Sequence, residues 1–488
     1  MSALRNLARD TVVYGLSTAV SSGIGFILVP LYTRSLSVAD YGVLATYNTT
    51  LVFAGIFISF SLDNAAATWY VTHKDDEDRR RTFSSWLAFL VVAGGAAGAA
   101  LVAFRAPLAR LLLGSERLSP VLVAAGASVL TTSIPKVGAL WYRMELRAKP
   151  SVALSLIAPV VTATTALALL ALRRLDLTGI VVAQASGAAL STVVTLLVMR
   201  GRLSWARAQW SRLREMLAFS TPFVGTIILS WCMTSAVVYI LTLLGSKEEV
   251  AHYQLASTLS SIVGLASFAF VQAWTPFAMS LPEEDRSAIY GSATELSASL
   301  GAALSVLATL TALPMLRLVT GKSSYDASEP VLAVLLLNQS VMTLPSVFAV
   351  IFAVKARSAP LLVASAVGAA TTLPLLGLAH VLHGGILGAA LAISMGGTAY
   401  TAWAFRDAHA LIPMRLSRWR MVLAFVVAAG LDAGLLVSRG VWPGLVAQIV
   451  VRAAIGLVAV GLVVGAYLPT LRALAAERRR RAALPAGA

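Results

Sequence analysis

A handful of polar side chains interrupt long apolar runs of the chain or stand at their mouths: Arg34, Asp63, Asn64, Lys136, Arg143 and Gln272, with Trp274 two residues further on. A charge or amide in apolar surroundings costs free energy unless it is paired or used, so each of these residues calls for a reason. Lys136 directly follows Pro135, where it can hold an anionic group beside a helix kink or reach along its stem to the nearer interface. Asp63 can carry a proton for coupling, or be plain polarity near a helix end. Arg34 can grip an anion or cap its helix C-terminus, and Arg143, at the cytoplasmic mouth, can grip such an anion or be drawn to lipid phosphates. Asn64, Gln272 and Trp274 offer hydrogen bonds and a stacking surface. Asp432 and Arg452 lie at equal depth near the end of the chain and are expected to form a structural ion pair. This chemistry is binding and transfer, not bond making. Cys232 is the only cysteine and five histidines are scattered along the chain, so no disulfide within it and no metal are expected, and no cofactor.

The elements that position these residues follow from composition. Of 488 residues 58% are hydrophobic and 12% charged, with mean hydropathy +0.81; a soluble domain carries roughly 25% charged residues. About 20 apolar residues cross a bilayer, and fourteen runs qualify: 12–33, 42–70, 83–104, 119–142, 151–171, 178–199, 216–244, 250–275, 290–313, 329–353, 360–380, 384–404, 419–438 and 445–467. With the N-terminus inside, cytoplasmic loops hold about 26 Lys and Arg against about 10 outside. This places both termini in the cytoplasm. The net charge of +16 is therefore read as topology-fixing charge, not as a nucleic-acid surface. No cleavable leader is expected. External loops are too short for a catalytic domain, and no G-x-x-x-x-G-K-[ST] loop for ATP occurs. Trp141, Tyr142, Trp231, Trp403, Trp419 and Trp442 are expected to anchor span ends at the interfaces.

The chain also repeats itself. Val38-Ala39-Asp40-Tyr41 returns as Val250-Ala251-His252-Tyr253, and Pro135 with Pro150 returns as Pro345 with Pro360, about 210 residues on. "GAAL" at 98–101 recurs at 301–304, and the run from Gly179 is echoed from Gly385. The unit is six spans. An even number makes the two copies parallel, with a cleft between halves that rock against one another. The expected fold is an all-α polytopic membrane protein of fourteen helices. Residues 1–210 and 211–410 form two pseudo-symmetric six-helix bundles, and 411–488 add two helices and a basic tail. In the second copy Ser346 stands at the place of Lys136. Asp63 and Asn64 correspond to Thr275 and Pro276, beside Gln272 and Trp274.

These motifs resemble a family. "LYTRSLSVADYG" (31–42) is similar to the opening motif of polysaccharide flippases of the Wzx type, within the superfamily of multidrug-and-toxin exporters and lipid II flippases. "FVQAWTPF" (270–277) resembles the matching element of the second half. The Asp-Arg pair that members often carry in the seventh span is replaced here by Val237-Val238 before Tyr239, so no role of that pair transfers. The resemblance implies a non-enzymatic flippase of the bacterial inner membrane. It would move a polyprenyl-diphosphate-linked oligosaccharide to the outer leaflet by alternating access, for surface polysaccharide. Lys136, Arg34 and Arg143 would meet phosphate or head group, Asn64, Gln272 and Trp274 sugar, and Asp63 a coupling ion. Membrane lipids, a polysaccharide polymerase and glycosyltransferases are the implied partners of a monomer. An ion-coupled drug or cation antiporter, or a lipid II flippase, is the alternative within the superfamily. From another class, a membrane glycan polymerase or ligase would need a long external loop, and His380 and His383 are its only hint.

Overall fold

Local chemistry sets the helix starts. Ser37 accepts a hydrogen bond from the Asp40 amide at 3.1 Å and opens α2 (Val38–Ser59). Asp75 caps α4 (Asp76–Ala103), whose first turn is acidic, and Asp176 takes the Gly179 amide at 2.7 Å to start α8 (Leu177–Met199). In this computed structural model residues 20–441 are described, apart from 74, 280, 356 and 358, together with 454 and 461. A first helix, α1, covers 20–35. The others are α3 (Leu62–Thr72), α5 (Arg105–Leu113), α6 (Ser119–Met144), α7 (Ala148–Ala171), α9 (Trp210–Thr234), α10 (Ala236–Leu244) and α11 (Lys247–Met279). They continue with α12 (Glu283–Thr320), α13 (Ser328–Val354), α14 (Ala359–Val381), α15 (Gly385–Leu411) and α16 (Arg418–Val441). There is no strand among the described residues, and ten helical stretches are long and apolar enough to cross a membrane. The expected last span, 445–467, lies outside the described residues apart from 454 and 461.

Two expected spans are broken. The run 42–70 divides into α2 and α3 at Phe60 (φ 44°) and Ser61 (φ 52°), two successive residues in the left-handed region. That conformation costs about 1–2 kcal/mol per non-glycine residue, so neighbours must hold it. One does: the Ser220 hydroxyl on α9 donates to the Ser61 carbonyl at 3.1 Å. The run 216–244 divides into α9 and α10 at Ser235. Both runs are about 29 residues, or about 43 Å of straight helix against a hydrocarbon core of about 30 Å.

The internal repeat is visible in packing. Pro135 in α6 cannot donate to the Thr131 carbonyl, and Thr192 of α8 donates its hydroxyl there at 2.6 Å. Pro345 in α13 leaves the Val341 carbonyl in the same position, and Thr401 of α15 donates to it at 3.4 Å. Gly187 of α8 lies so close to Ala158 and Thr162 of α7 that a Cβ would overlap them, and Gly396 of α15 lies likewise against Gly368 and Thr372 of α14. Each pair of contacts is separated by about 210 residues. The trios α6–α8 and α13–α15 thus share matching hydrogen bonds and close glycine contacts.

Among the described residues, packing divides the chain into two units. One runs to Gln254 and includes Val319–Ser324; the other holds Leu255–Leu318 and continues from Tyr325. The core of the first is aromatic: Phe83 and Trp141 meet edge to face at 4.9 Å, and Trp86 is fully buried. Trp141 is therefore a core residue here and not an interfacial anchor, with 2% exposure and its indole N–H donated to Glu145 at 2.8 Å. Within the same unit a Cβ on Gly42 would overlap the Lys247 carbonyl, which accounts for glycine after Tyr41. The core of the second unit gathers Trp274, Tyr290, Phe348 and Phe352.

Candidate functional site: a cationic pocket in the first unit

The pocket is built on one face of α6. Thr132, Lys136 and Arg143 recur at intervals of four and seven residues, which aligns them along a single stripe. Pro135 lies in the same stripe. With Asp63 of α3, Ser155 of α7 and Ser191 of α8, they line a cavity of about 370 Å³ in which alanine and leucine supply the remaining wall. Asp63 arrives there because the Phe60–Ser61 break starts a new helix, with Asp63 in its first turn. The lining carries two cations, one carboxylate and three hydroxyls.

Pairing distinguishes Lys136 from the basic residues around it. At the end of α6, Glu145 receives Arg202 at 3.2 Å and Arg147 at 3.6 Å. The Arg202 guanidinium lies 5.1 Å from the Tyr142 ring centre. At the start of α4, Asp78 binds Arg212 and Asp76 binds Arg80. Lys136, by contrast, is exposed to the cavity and has no carboxylate within 4 Å among the described residues. A cation held without a counter-charge at the depth of an apolar helix can receive an anion.

The other expected site residues are placed elsewhere or differently. Asn64 is exposed on α3, one residue past Asp63, on a stripe with Thr68 and Thr72. Arg34 sits at the C-terminal end of α1 and donates to the Val319 carbonyl at 3.2 Å, away from the pocket lining. Lys322, which the sequence did not single out, donates to the carbonyls of Thr33 (2.9 Å) and Leu36 (2.6 Å) and so closes the α1 C-terminus. A lysine in a short loop gives no sign of its target, so only the fold identifies it.

Trp274 is 6% exposed, packs on Tyr290 at 5.6 Å and donates to the Val347 carbonyl at 3.4 Å. Its ring has no open face for a sugar, because the core of the second unit encloses it. The Gln272 side chain lies outside what the structure describes. Asp432 of α16 is 5% exposed, and its expected partner Arg452 lies outside the described residues.

The arrangement of helices is shared with solved transporters. The structure of "Lipid II flippase MurJ, inward closed conformation" superposes with a TM-score of 0.75, covering 94% of this chain and all of that one, at 12% identity. An inward-facing multidrug resistance transporter of the MATE family, of the MOP superfamily, gives 0.65 over 82% of this chain and 98% of that chain, at 13% identity. At such identities the likeness defines the fold: a helical membrane transporter fold. The chain itself belongs to the polysaccharide biosynthesis protein family, whose match covers residues 7–281. It is also 27% identical over 248 residues to the EPS I polysaccharide export inner membrane protein EpsE of Ralstonia solanacearum. That similarity covers 50% of this chain and 56% of the relative, so it spans about half the length of each.

Proposed function

We propose that this protein is a flippase that carries a polyprenyl-diphosphate-linked oligosaccharide from the cytoplasmic to the outer leaflet of the bacterial inner membrane, for export of surface polysaccharide. The observation that carries this reading is the shared cavity of Lys136, Arg143 and Asp63 with three hydroxyls. A diphosphate needs cations and hydrogen-bond donors held out of bulk water, where charge-assisted bonds are strong. The polyprenyl tail stays in lipid throughout, so only the head group must cross. Lys136 and Arg143 bind the diphosphate and the hydroxyls complete its hydrogen bonds. Asn64 and Gln272 are polar contacts for the glycan, and Arg34 holds the α1 end against the C-terminal end of α12. No covalent step is involved. Both termini lie in the cytoplasm, residues 1–210 and 211–410 are the two moving bundles, and the protein works as a monomer beside a polymerase and glycosyltransferases.

Deleting the protein in its host should leave the glycolipid facing the cytoplasm, and complementation by the Lys136→Ala variant, present at normal level in the membrane, should fail to restore export. Full restoration would remove Lys136 from the mechanism. A second reading, a drug or cation antiporter, draws on the multidrug-transporter fold and on a carboxylate in the cavity. Loss of dye efflux on deletion, with normal glycolipid, would favour it. In either case Asp63→Asn should flatten the dependence of transport on pH if Asp63 carries the coupling proton; an unchanged profile assigns it a structural role.

A further inference from the structure

The break between α2 and α3 has no local cause. Helices α2, α4 and α8 each open on a side chain that takes an amide of the first turn, Ser37, Asp75 and Asp176. Helix α3 opens on Ser61, which makes no such bond, and the Ser61 hydroxyl is buried with no hydrogen-bond partner among the described residues. Neither glycine nor proline stands at the break, yet Phe60 and Ser61 both lie in the left-handed region, where a side chain is strained. In the second copy the equivalent positions, 272 and 273, lie inside the continuous helix α11. Local preference therefore favours one straight helix over 38–72, and contacts from elsewhere must break it.

Those contacts come from α9 and α4. The fully buried Ser220 donates its hydroxyl to the Ser61 carbonyl at 3.1 Å, and Phe219 beside it meets Trp69 of α3 at 5.4 Å. Arg79 of α4 donates to the carbonyls of Tyr70 (3.1 Å) and His73 (3.0 Å) and so clasps the α3 C-terminus. In this position Asp63 lines the cavity of Lys136 and Arg143. It forms no ion pair with Lys136, so it offsets the positive charge from a distance. An anion that enters meets a like charge there. With α3 in place the lining carries one net positive charge, two cations against one carboxylate, and without Asp63 it carries two. The acid and the break also occur in the same copy, since Thr275 stands for Asp63 in the unbroken α11.

We propose that α3 is a hinged carrier of the Asp63 carboxylate, and that Ser220 is the positioning residue that holds it in the pocket as an internal counter-charge. An entering diphosphate displaces the carboxylate, and α2 and α3 straighten into one helix as α3 leaves. The identity of the anion rests on the flippase reading; what is added is the group that balances the pocket when no substrate is there. The strained Phe60–Ser61 turn drives the straightening, and the Ser220 hydrogen bond opposes it.

The test uses the full-length protein in nanodiscs, with polyprenyl diphosphate lacking sugar as the probe. Spin labels are placed at Val52→Cys on α2 and Val71→Cys on α3, both exposed, in a Cys232→Ser background. A straight helix sets these positions about 28 Å apart, and the turn at Phe60–Ser61 brings them closer. Adding the lipid should populate the longer distance. Ser220→Ala should raise that population about 5-fold without lipid, the loss of one hydrogen bond, and Ser220→Thr should keep the wild-type distribution. Ser61→Gly should lower it by a similar factor, about 5-fold, because glycine takes the left-handed turn without strain; a purely structural role for these residues predicts no such opposite pair. Asp63→Asn should bind the lipid more tightly than the wild type, and weaker binding would overturn the displacement. One distance, unchanged by lipid and by all variants, would overturn the hinge while lipid binding that depends on Lys136 leaves the pocket standing. Failure of the wild type to bind the lipid would overturn the pocket reading itself, and the displacement with it.

Discussion

The helix trios α6–α8 and α13–α15 share a frame and differ in what fills it. Each has a proline inside its first helix, a threonine from its third helix on the orphaned carbonyl, and a glycine that brings its last two helices together. In the first trio the face beside Pro135 carries Lys136 and opens on a cavity that Asp63 reaches from a broken helix. In the second, Ser346 replaces the lysine, and the corresponding helix α11 runs unbroken and sets Trp274 on Val347 next to it. The same scaffold thus holds a polar cavity in one copy and an aromatic core in the other. Backbone satisfaction is what the repeat conserves between its copies; side-chain chemistry is where they part.

This contrast can be broken at its most buried point first. Trp274→Ala should destabilise the protein by about 3–5 kcal/mol, since it empties a closed core; thermal unfolding in detergent would measure it, and a small change would mean that the second copy has an open pocket after all. Lys136→Ala should reduce glycolipid transport about 10- to 100-fold, the loss of a hydrogen bond to a charged group, with no change in unfolding temperature. Ser346→Lys should not compensate for it, because Trp274 packs against Val347 beside that position. Thr192→Val should cost about 1–3 kcal/mol, leaving the Thr131 carbonyl unsatisfied behind Pro135. Thr401→Val should cost less, about 1 kcal/mol, because its bond to Val341 is 3.4 Å against 2.6 Å. Equal costs for the two threonines would show that the proline carbonyls do not need them.

How much could be seen in advance depended on the range of the interaction. Hydropathy marks the spans one at a time, and the proline pairs and glycine runs keep register over half the chain, so the helical membrane fold and its duplication were legible. Asp63, Lys136 and Arg143 stood out singly because charge in an apolar run is rare. Their meeting in one cavity was not legible, since it depends on α3 beginning a new helix at Phe60–Ser61, and no glycine or proline marks that left-handed turn. Trp274 misled for the converse reason: sequence does not tell a ring on a cavity wall from a ring that fills a core.

By itself, then, the sequence marked the apolar helical segments and the offset at which their motifs recur, because apolar runs and chain-length offsets are properties of the covalent chain. The tertiary structure alone decided that Lys136, Arg143 and Asp63 share a pocket and that Lys322 closes α1. Those outcomes depend on helix breaks and on contacts between residues far apart in the chain, where the free energy of packing, not local preference, selects the arrangement.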